Sequence, residues 1–252
     1  CVTPPRDPAT GAYDTSVETC LFSSPDGDEL FTNPGLVDQW TGLGTSAVEI
    51  GGAGELLRAR LGASPSPPYW SKRNIKTWRP GQDGWVDLDP SEWTDADARV
   101  NGCERYALIN FLHGYEASAD CDTGAPLAVR SWPLGAAINS PPVEVRYDEA
   151  CEVGATGGRG CFIFLATNDG VVHVFDARTG EETSAIVPGE LWRGDASRSR
   201  LADLRDQPSV RYRHRYYVDG AMRLQHVDLD GDAVVDDGEA AALYVGLGRG
   251  GR

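Results

Sequence analysis

The chain has 252 residues, of which 40% are apolar and 9% aromatic, so it can bury a substantial core. A net charge of −15 and a pI near 4.6 disfavour nucleic acid and anionic lipid as partners and favour cations. Thirty glycines and 16 prolines suit many short strands joined by turns. We therefore expect a mainly β fold with a few short helices and, without an apolar run of about 18 residues, no membrane-embedded segment.

The first segment, residues 1–45, is rich in turn formers and acidic residues, and we interpret it as irregular structure. A disulfide between Cys1 and Cys20 is expected to pin it. The remaining residues, 46–252, are expected to form one domain. Because the chain starts at a cysteine and stops just after a strand-like run, we interpret it as part of a longer secreted protein.

Two helices are predicted before residue 120. The first covers about 52–61, where Leu56, Leu57 and Leu61 share one face. The second covers about 104–115, where apolar residues recur with helical periodicity up to Gly114. A strand is expected between them, at about 74–78.

Three strands of similar length follow, at 161–167, 171–177 and 181–188. Asn168-Asp169-Gly170 and Arg178-Thr179-Gly180 supply tight turns between them, because Asn, Asp and Gly adopt the positive φ that such turns need. This pattern predicts an antiparallel meander, which is the unit of a β-propeller blade.

The last part of the chain predicts a helix at about 190–204 and a hairpin that joins 213–218 to 222–227. A final strand is expected at 242–247.

Six cysteines fall into three couples that are local in sequence: Cys1 with Cys20, Cys103 with Cys121, and Cys151 with Cys161. None has the spacing of a zinc or redox motif, so we expect three disulfides, although six cysteines allow fifteen pairings. The alternative is six thiols in a cytosolic protein. The loop-rich flanks favour oxidation in the periplasm or outside the cell.

The sharpest chemical feature is an acidic loop at residues 228–239, DLDGDAVVDDGE. Its alternating carboxylates match positions 1, 3, 5 and 9 of a calcium loop of EF-hand type, and position 7 contributes a backbone carbonyl. The predicted Ca²⁺ ligands are Asp228, Asp230, Asp232, the carbonyl of Val234, and Asp236.

The acidic loop also departs from the EF-hand pattern. Position 6 is Ala233 where EF-hands have glycine, Gly231 stands at position 4, and strands flank the loop in place of helices. Whether Glu239, at position 12, binds the metal stays open. A solvated hairpin without metal would bear the repulsion of four close carboxylates, and magnesium prefers a smaller octahedral site, so calcium is favoured.

Several stretches resemble the C-terminal propeller of the PilY family of type IV pilus proteins. They occur in the family's order after the helix that ends in LINFLHG, at 108–114. The matching stretches are LGAAINSPPV (134–143), NDGVVHVFDA (168–177), HRYYVDG (214–220) and YVGLGRGG (244–251). Four or five motifs in order are far more specific than any single one.

This resemblance implies a modified β-propeller, of which the chain holds the first blades and which continues beyond residue 252. It also implies a non-enzymatic pilus-tip adhesin and biogenesis factor with a calcium loop between strands. Such a protein modulates pilus extension and retraction. It passes through the periplasm to the cell surface, and its partners are minor pilins and host or abiotic surfaces.

Two other readings stay open. A blade motif around 169–180 is similar to that of quinoprotein dehydrogenases, which would make the chain an enzyme. The second alternative is a plain extracellular propeller that a calcium ion stabilises. We set aside three short motifs that chance or local structure explains: Arg193-Gly194-Asp195, the D-x-S-x-S pattern at 195–199, and the G-x-G-x-x-G pattern at 246–251.

Overall fold

The computed structural model describes residues 40–41, 51–79, 84–100, 102–193, 200–209 and 216–250. The chain divides into two units, residues 1–52 and 53–252. Apart from the first residue of one helix, every element below lies in the second unit. The predicted Cys1–Cys20 disulfide lies outside the described residues, as does nearly all of the segment predicted to be irregular.

Strands outnumber α-helices, which confirms the prediction of a mainly β fold with few helices. The α-helices are α1 (Gly52–Leu61), α2 (Asp95–Ala98) and α3 (Gly102–His113), and short 3-10 helices occupy Trp70–Lys72, Gly189–Trp192, Arg200–Ser209 and Gly248–Gly250. The strands are β1 (Ile75–Trp78), β2 (Trp85–Asp87), β3 (Val143–Arg146), β4 (Cys161–Ala166), β5 (Val172–Asp176), β6 (Glu182–Val187), β7 (Met222–Val227) and β8 (Ala240–Val245).

Six of these strands form one sheet in the order β2-β1-β6-β5-β4-β3. Strands β3 to β6 are a consecutive antiparallel meander, one strand longer than predicted. Strand β1 joins its edge in parallel to β6, and β2 pairs antiparallel with β1. Strands β7 and β8 form a separate two-stranded sheet. Within the described ranges these are the sheets present, and they do not make a ring of blades.

Two predictions for the last third of the chain were wrong. A helix from 190 to 204 is interrupted because Arg193 has extended backbone, with φ −75° and ψ 135°. Trp192, the residue before this break, is buried. Its ring packs against that of Trp93, with centroids 4.4 Å apart, and its indole N–H donates to Thr77 Oγ1. The other wrong prediction is the strand at 213–218: residues 213–215 lie outside the described ranges, 216–218 form no strand, and β7 pairs with β8 across the acidic loop.

Helix α3 lies in the interior, since seven consecutive residues from Ala107 to His113 are buried. A helix buried on all sides must satisfy its polar groups internally. Asn110 does so by accepting from the Trp70 indole at 2.9 Å and donating to the carbonyls of Ser118 and Gly124, each at 3.1 Å. With 12 residues, α3 is the longest α-helix described, and no described helix is long and apolar enough to cross a bilayer.

A buried ion network ties the sheet to this helix. Arg73 donates Nε and Nη2 to the two carboxylate oxygens of Glu182, both at 2.7 Å, and Nη1 to the carbonyl of Leu112 at 2.8 Å. His173 Nδ1 lies 2.7 Å from Glu182 Oε1. Burial alone would raise the pKa of Glu182, but the charge of Arg73 and the bonds from His173 and Arg73 outweigh it and lower the pKa.

Glu182→Gln should destabilise the protein strongly, because it leaves the Arg73 guanidinium buried without its counter-charge. Breaking a buried ion pair in this way costs about 3–5 kcal/mol. The measurement is the free energy of unfolding in urea at neutral pH. The matched control is Glu181→Gln at the neighbouring position, whose side chain is 63% exposed and pairs with Arg60 at 3.6 Å. Equal losses in the two variants would contradict a central role for Glu182.

Candidate metal centre

The acidic loop, residues 228–239, joins β7 to β8. The strands stay paired up to Val227 and Ala240, so the hairpin holds the two ends of the loop together. Val234 and Val235 are buried, and the N–H of Val235 donates to the carbonyl of Arg146 at the end of β3. The loop is therefore fixed to the meander as well as to its own strands.

Three of the predicted ligands come together. Asp228, Asp230 and Asp232 each offer a carboxylate oxygen, and these three atoms lie within 4.8 Å of one another. Asp228 accepts hydrogen bonds from the N–H groups of Gly231 (2.6 Å) and Ala233 (3.1 Å). These backbone bonds fold the loop around one exposed cluster of oxygens, the ligand type that hard divalent cations prefer.

The carboxylates of the cluster have opposite pKa shifts. The backbone N–H of Gly231, helped by that of Ala233, lowers the pKa of Asp228. Desolvation, together with the negative charges of Asp232 and Glu239, raises the pKa of Asp230. A bound cation would therefore stabilise the ionised form of Asp230.

Ala233 adopts the backbone conformation for which EF-hand loops use glycine. Its backbone is left-handed, with φ at 64°, at the position where EF-hand loops have glycine. Gly231 also has a positive φ, 87°. The chain therefore makes the turn that the pattern requires, at the cost of placing a Cβ in a region that non-glycine residues rarely adopt.

Asp236 and Glu239 are not part of this side-chain cluster, and Val234 was predicted to contribute only its backbone carbonyl. Asp236 forms an ion pair with Arg159 at 2.9 Å. Val234 donates its N–H to Asp232 Oδ1 at 2.8 Å, and its side chain is buried. Glu239 closes the loop: it accepts from the N–H groups of Leu229 (2.6 Å) and Asp236 (3.1 Å) and lies 2.8 Å from His226 Nε2.

These bonds set the charge of Glu239. The backbone N–H groups of Leu229 and Asp236, then His226, lower its pKa to about 2. In this conformation the oxygens of Glu239 hold the loop in shape, so Glu239 acts as a structural brace.

Arg159 was missed by the sequence reasoning. Besides Asp236, it reaches Asp237 Oδ1 at 3.0 Å and the carbonyl of Val235 at 2.9 Å. It lies within the segment closed by the Cys151–Cys161 disulfide, so that segment and the acidic loop are joined. No local pattern signals a partner 77 residues away.

Two of the expected disulfides, Cys103–Cys121 and Cys151–Cys161, are present in the structure. The structure describes only parts of the three motifs that we set aside. Residues 194–199 lie outside the described ranges, as does Gly251. Gly246 accepts a hydrogen bond from the N–H of Gly220 at 3.0 Å, and a 3-10 turn follows it in place of the helix of a dinucleotide fold.

One arrangement resembles a catalytic triad and also escaped the sequence reasoning. Thr167 Oγ1 lies 3.3 Å from His173 Nε2, and His173 Nδ1 faces Glu182. Thr167 and His173 are both fully buried, and the threonine hydroxyl also bonds to Asp169 and to the carbonyl of Val171. We assign the arrangement to the core, because a nucleophile must meet its substrate.

The stretches that carry the family resemblance meet in space. Asn139 donates to Asp219 Oδ1 at 2.9 Å, and Arg249 donates to Asp219 Oδ2 at 2.8 Å. The N–H of Asn168 donates to the carbonyl of Ala136 at 2.8 Å. These contacts join all four stretches, two of them through the buried carboxylate of Asp219.

The chain is similar to two curated proteins of Xylella fastidiosa, each named "Type IV pilus biogenesis factor PilY1 homolog". One is 33% identical over 129 residues, which is 45% of this chain and 10% of that protein. The other is 31% identical over 169 residues, which is 58% of this chain and again 10% of the relative. The chain thus spans about a tenth of the length of these relatives. No family model and no solved structure matches it. The predicted PilY-type resemblance is confirmed.

Ala233→Gly should leave the free energy of unfolding unchanged or raise it by up to about 1 kcal/mol, because glycine adopts a left-handed backbone without strain. Ala241→Gly is the control, since Ala241 is exposed in the regular strand β8 and glycine there should cost about 0.5–1 kcal/mol. Urea unfolding with a chelator present measures both. If Ala233→Gly is destabilising by as much as the control, the turn does not have the backbone described.

Proposed function

We propose that this chain is part of a type IV pilus biogenesis factor of PilY type, and that its acidic loop binds calcium. The pilus assignment is supported by the names of the relatives above. The calcium assignment rests on one observation: three alternating carboxylates converge in a hairpin loop whose backbone is already folded around them.

The donor set suits calcium on chemical grounds. Calcium takes six to eight oxygens in flexible geometry, whereas magnesium demands a near-ideal octahedron and keeps most of its water. Asp228, Asp230 and Asp232 would hold the ion. The carbonyl of Val234 and the carboxylate of Asp236 complete the predicted set, and the latter would have to exchange Arg159 for the ion. Calcium would offset the desolvation and the neighbouring negative charges that raise the pKa of Asp230.

The proposal includes the type of β fold. The four-stranded meander β3–β6 has the connectivity of one blade of a modified β-propeller, and we propose that further blades follow beyond residue 252. The parallel addition of β1 to its edge would be the modification.

The proposed setting is the cell surface, at the tip of the pilus, reached through the periplasm. The two disulfides of the described residues favour an oxidising compartment of this kind. Minor pilins of the tip complex, and the host or abiotic surfaces to which a pilus attaches, are the proposed partners. We propose no enzymatic role.

Calcium should bind the chelator-stripped chain at one saturable site, and Asp232→Ala should abolish the binding because it removes one of three converging oxygens. Isothermal titration calorimetry measures both, with magnesium as the competing ion. At free calcium about 100 times Kd, the free energy of unfolding should rise by about 2.7 kcal/mol.

Asp237→Asn is the matched control for this titration. It removes one negative charge from the same loop, but Asp237 is fully exposed and lies outside the cluster. Its Kd should therefore stay within about threefold of the parent's, because charges exposed to water are well screened. An equal loss of affinity in Asp237→Asn and Asp232→Ala would mean diffuse attraction and no built site.

Asp232→Ala in the full-length protein should reduce surface pili if calcium occupancy opposes retraction, as the family resemblance implies. Electron microscopy and shearing assays of the bacterium that encodes the chain measure this, with Asp237→Asn as the control strain. Blocking retraction genetically should restore the pili. Normal piliation in the Asp232→Ala strain, with calcium binding lost in vitro, would leave calcium a stabilising role only.

A further inference from the structure

The hairpin formed by β1 and β2 exposes two tryptophans. Trp78 and Trp85 are opposite one another in the pairing of these strands, and they are 41% and 58% exposed. Their rings meet edge to face, with centroids 5.8 Å apart and planes at 89°. Indole is the largest side chain and is usually well buried. Two adjacent exposed indoles are therefore unusual and are candidates for a contact with a ligand.

Trp78 faces outward because its strand is firmly held by the residues that face inward. Ile75 and Thr77 are buried, and the period of two in a strand places Trp78 on the opposite face. Thr77 donates its hydroxyl to the carbonyl of Val187 at 2.7 Å and accepts from Trp192 at 2.9 Å. The exposed indole therefore projects from a rigid support.

A small cavity of about 210 Å³ adjoins this indole. It is lined by Trp78, Gly189, Glu190 and Arg193. Gly189 packs directly on the strand: a Cβ at this position would lie 2.5 Å from the carbonyl oxygen of Trp78. Glu190 and Arg193 form an ion pair at 3.0 Å, and both side chains are 59% exposed.

The cavity combines one aromatic wall with a balanced pair of charges. An anionic ligand would be repelled by Glu190 and by a chain of net charge −15, and a cationic ligand would be repelled by Arg193. A purely apolar ligand would leave the ion pair unmatched. A sugar ring fits each feature, because its C–H face stacks on an indole and its hydroxyls both donate to a carboxylate and accept from a guanidinium.

We propose that this cavity binds one end of a neutral oligosaccharide. Trp78 stacks on the sugar ring, and Glu190 and Arg193 bond to its hydroxyls. The cavity is smaller than the roughly 300–1,000 Å³ of drug-sized sites, so it holds one end of such a chain and binds it weakly. The proposal is independent of the acidic loop and of calcium.

The competing explanation is structural. A cross-strand aromatic pair stabilises a hairpin by about 0.2–1 kcal/mol, and the indoles could serve that purpose alone. Binding measurements separate the two, because a purely structural pair gives no sugar contact.

The test is saturation-transfer difference NMR on the whole chain, in chelator, with maltotriose, cellotriose and triacetylchitotriose as probes. At least one probe should receive saturation through its ring protons. Trp78→Ala should weaken that binding at least tenfold, and Trp78→Phe should retain part of it. Circular dichroism checks that each variant is folded.

Glu190→Ala provides a second arm that does not alter the hairpin, and it should weaken binding about fivefold or more. Tyr244→Ala is the control, since Tyr244 is an exposed aromatic residue on β8, away from the cavity. The proposal is overturned if none of the three sugars binds the parent, or if binding survives in both Trp78→Ala and Glu190→Ala. Loss of binding in Tyr244→Ala as well would also overturn it, because the contact would then be non-specific.

Discussion

One buried carboxylate holds the described domain together. Glu182 receives two hydrogen bonds from Arg73 and one from His173, while Arg73 also binds the last turn of α3 through the carbonyl of Leu112. An isolated charge in this position would cost several kcal/mol, and only the complete set of partners offsets that cost. The start of β1, the end of α3 and strands β5 and β6 must therefore assemble together, which makes the fold cooperative.

The same network reaches the stretches that carry the family resemblance. His173 contacts Thr167, Thr167 bonds to Asp169, and Asp169 lies 3.5 Å from Arg130. Elsewhere in the domain, the carboxylate of Asp219 joins its own stretch to those of Asn139 and Arg249. The motif stretches thus contribute polar contacts that hold separate segments of the domain together. The acidic loop, by contrast, is largely exposed.

The sequence predicted well what depends on near neighbours. Apolar runs with Gly-containing turns located β4, β5 and β6, and helical periodicity located α3, because these signals are local. It missed what depends on distant partners. The parallel pairing of β1 with β6 joins residues about 110 apart, and Glu182 is part of a polar run that resembles an exposed strand. In the loop, alternation predicted that Asp228, Asp230 and Asp232 lie close together, which they do, but Asp236 pairs with Arg159, whose position no local rule reveals.

The loop is organised before any ion arrives, but only in part. Backbone N–H groups and the brace of Glu239 have already fixed the turn around Asp228, so a cation need not order it, and that preorganisation favours binding. Two features oppose ion binding: Asp236 is already paired with Arg159, and the left-handed backbone of Ala233 is strained. Since the carboxylate of Asp236 would have to leave Arg159, the proposed site would belong to the weak class of extracellular calcium modules, with Kd of about 10⁻⁴–10⁻³ M. Such a site would respond to calcium outside the cell and would stay empty at cytosolic concentrations.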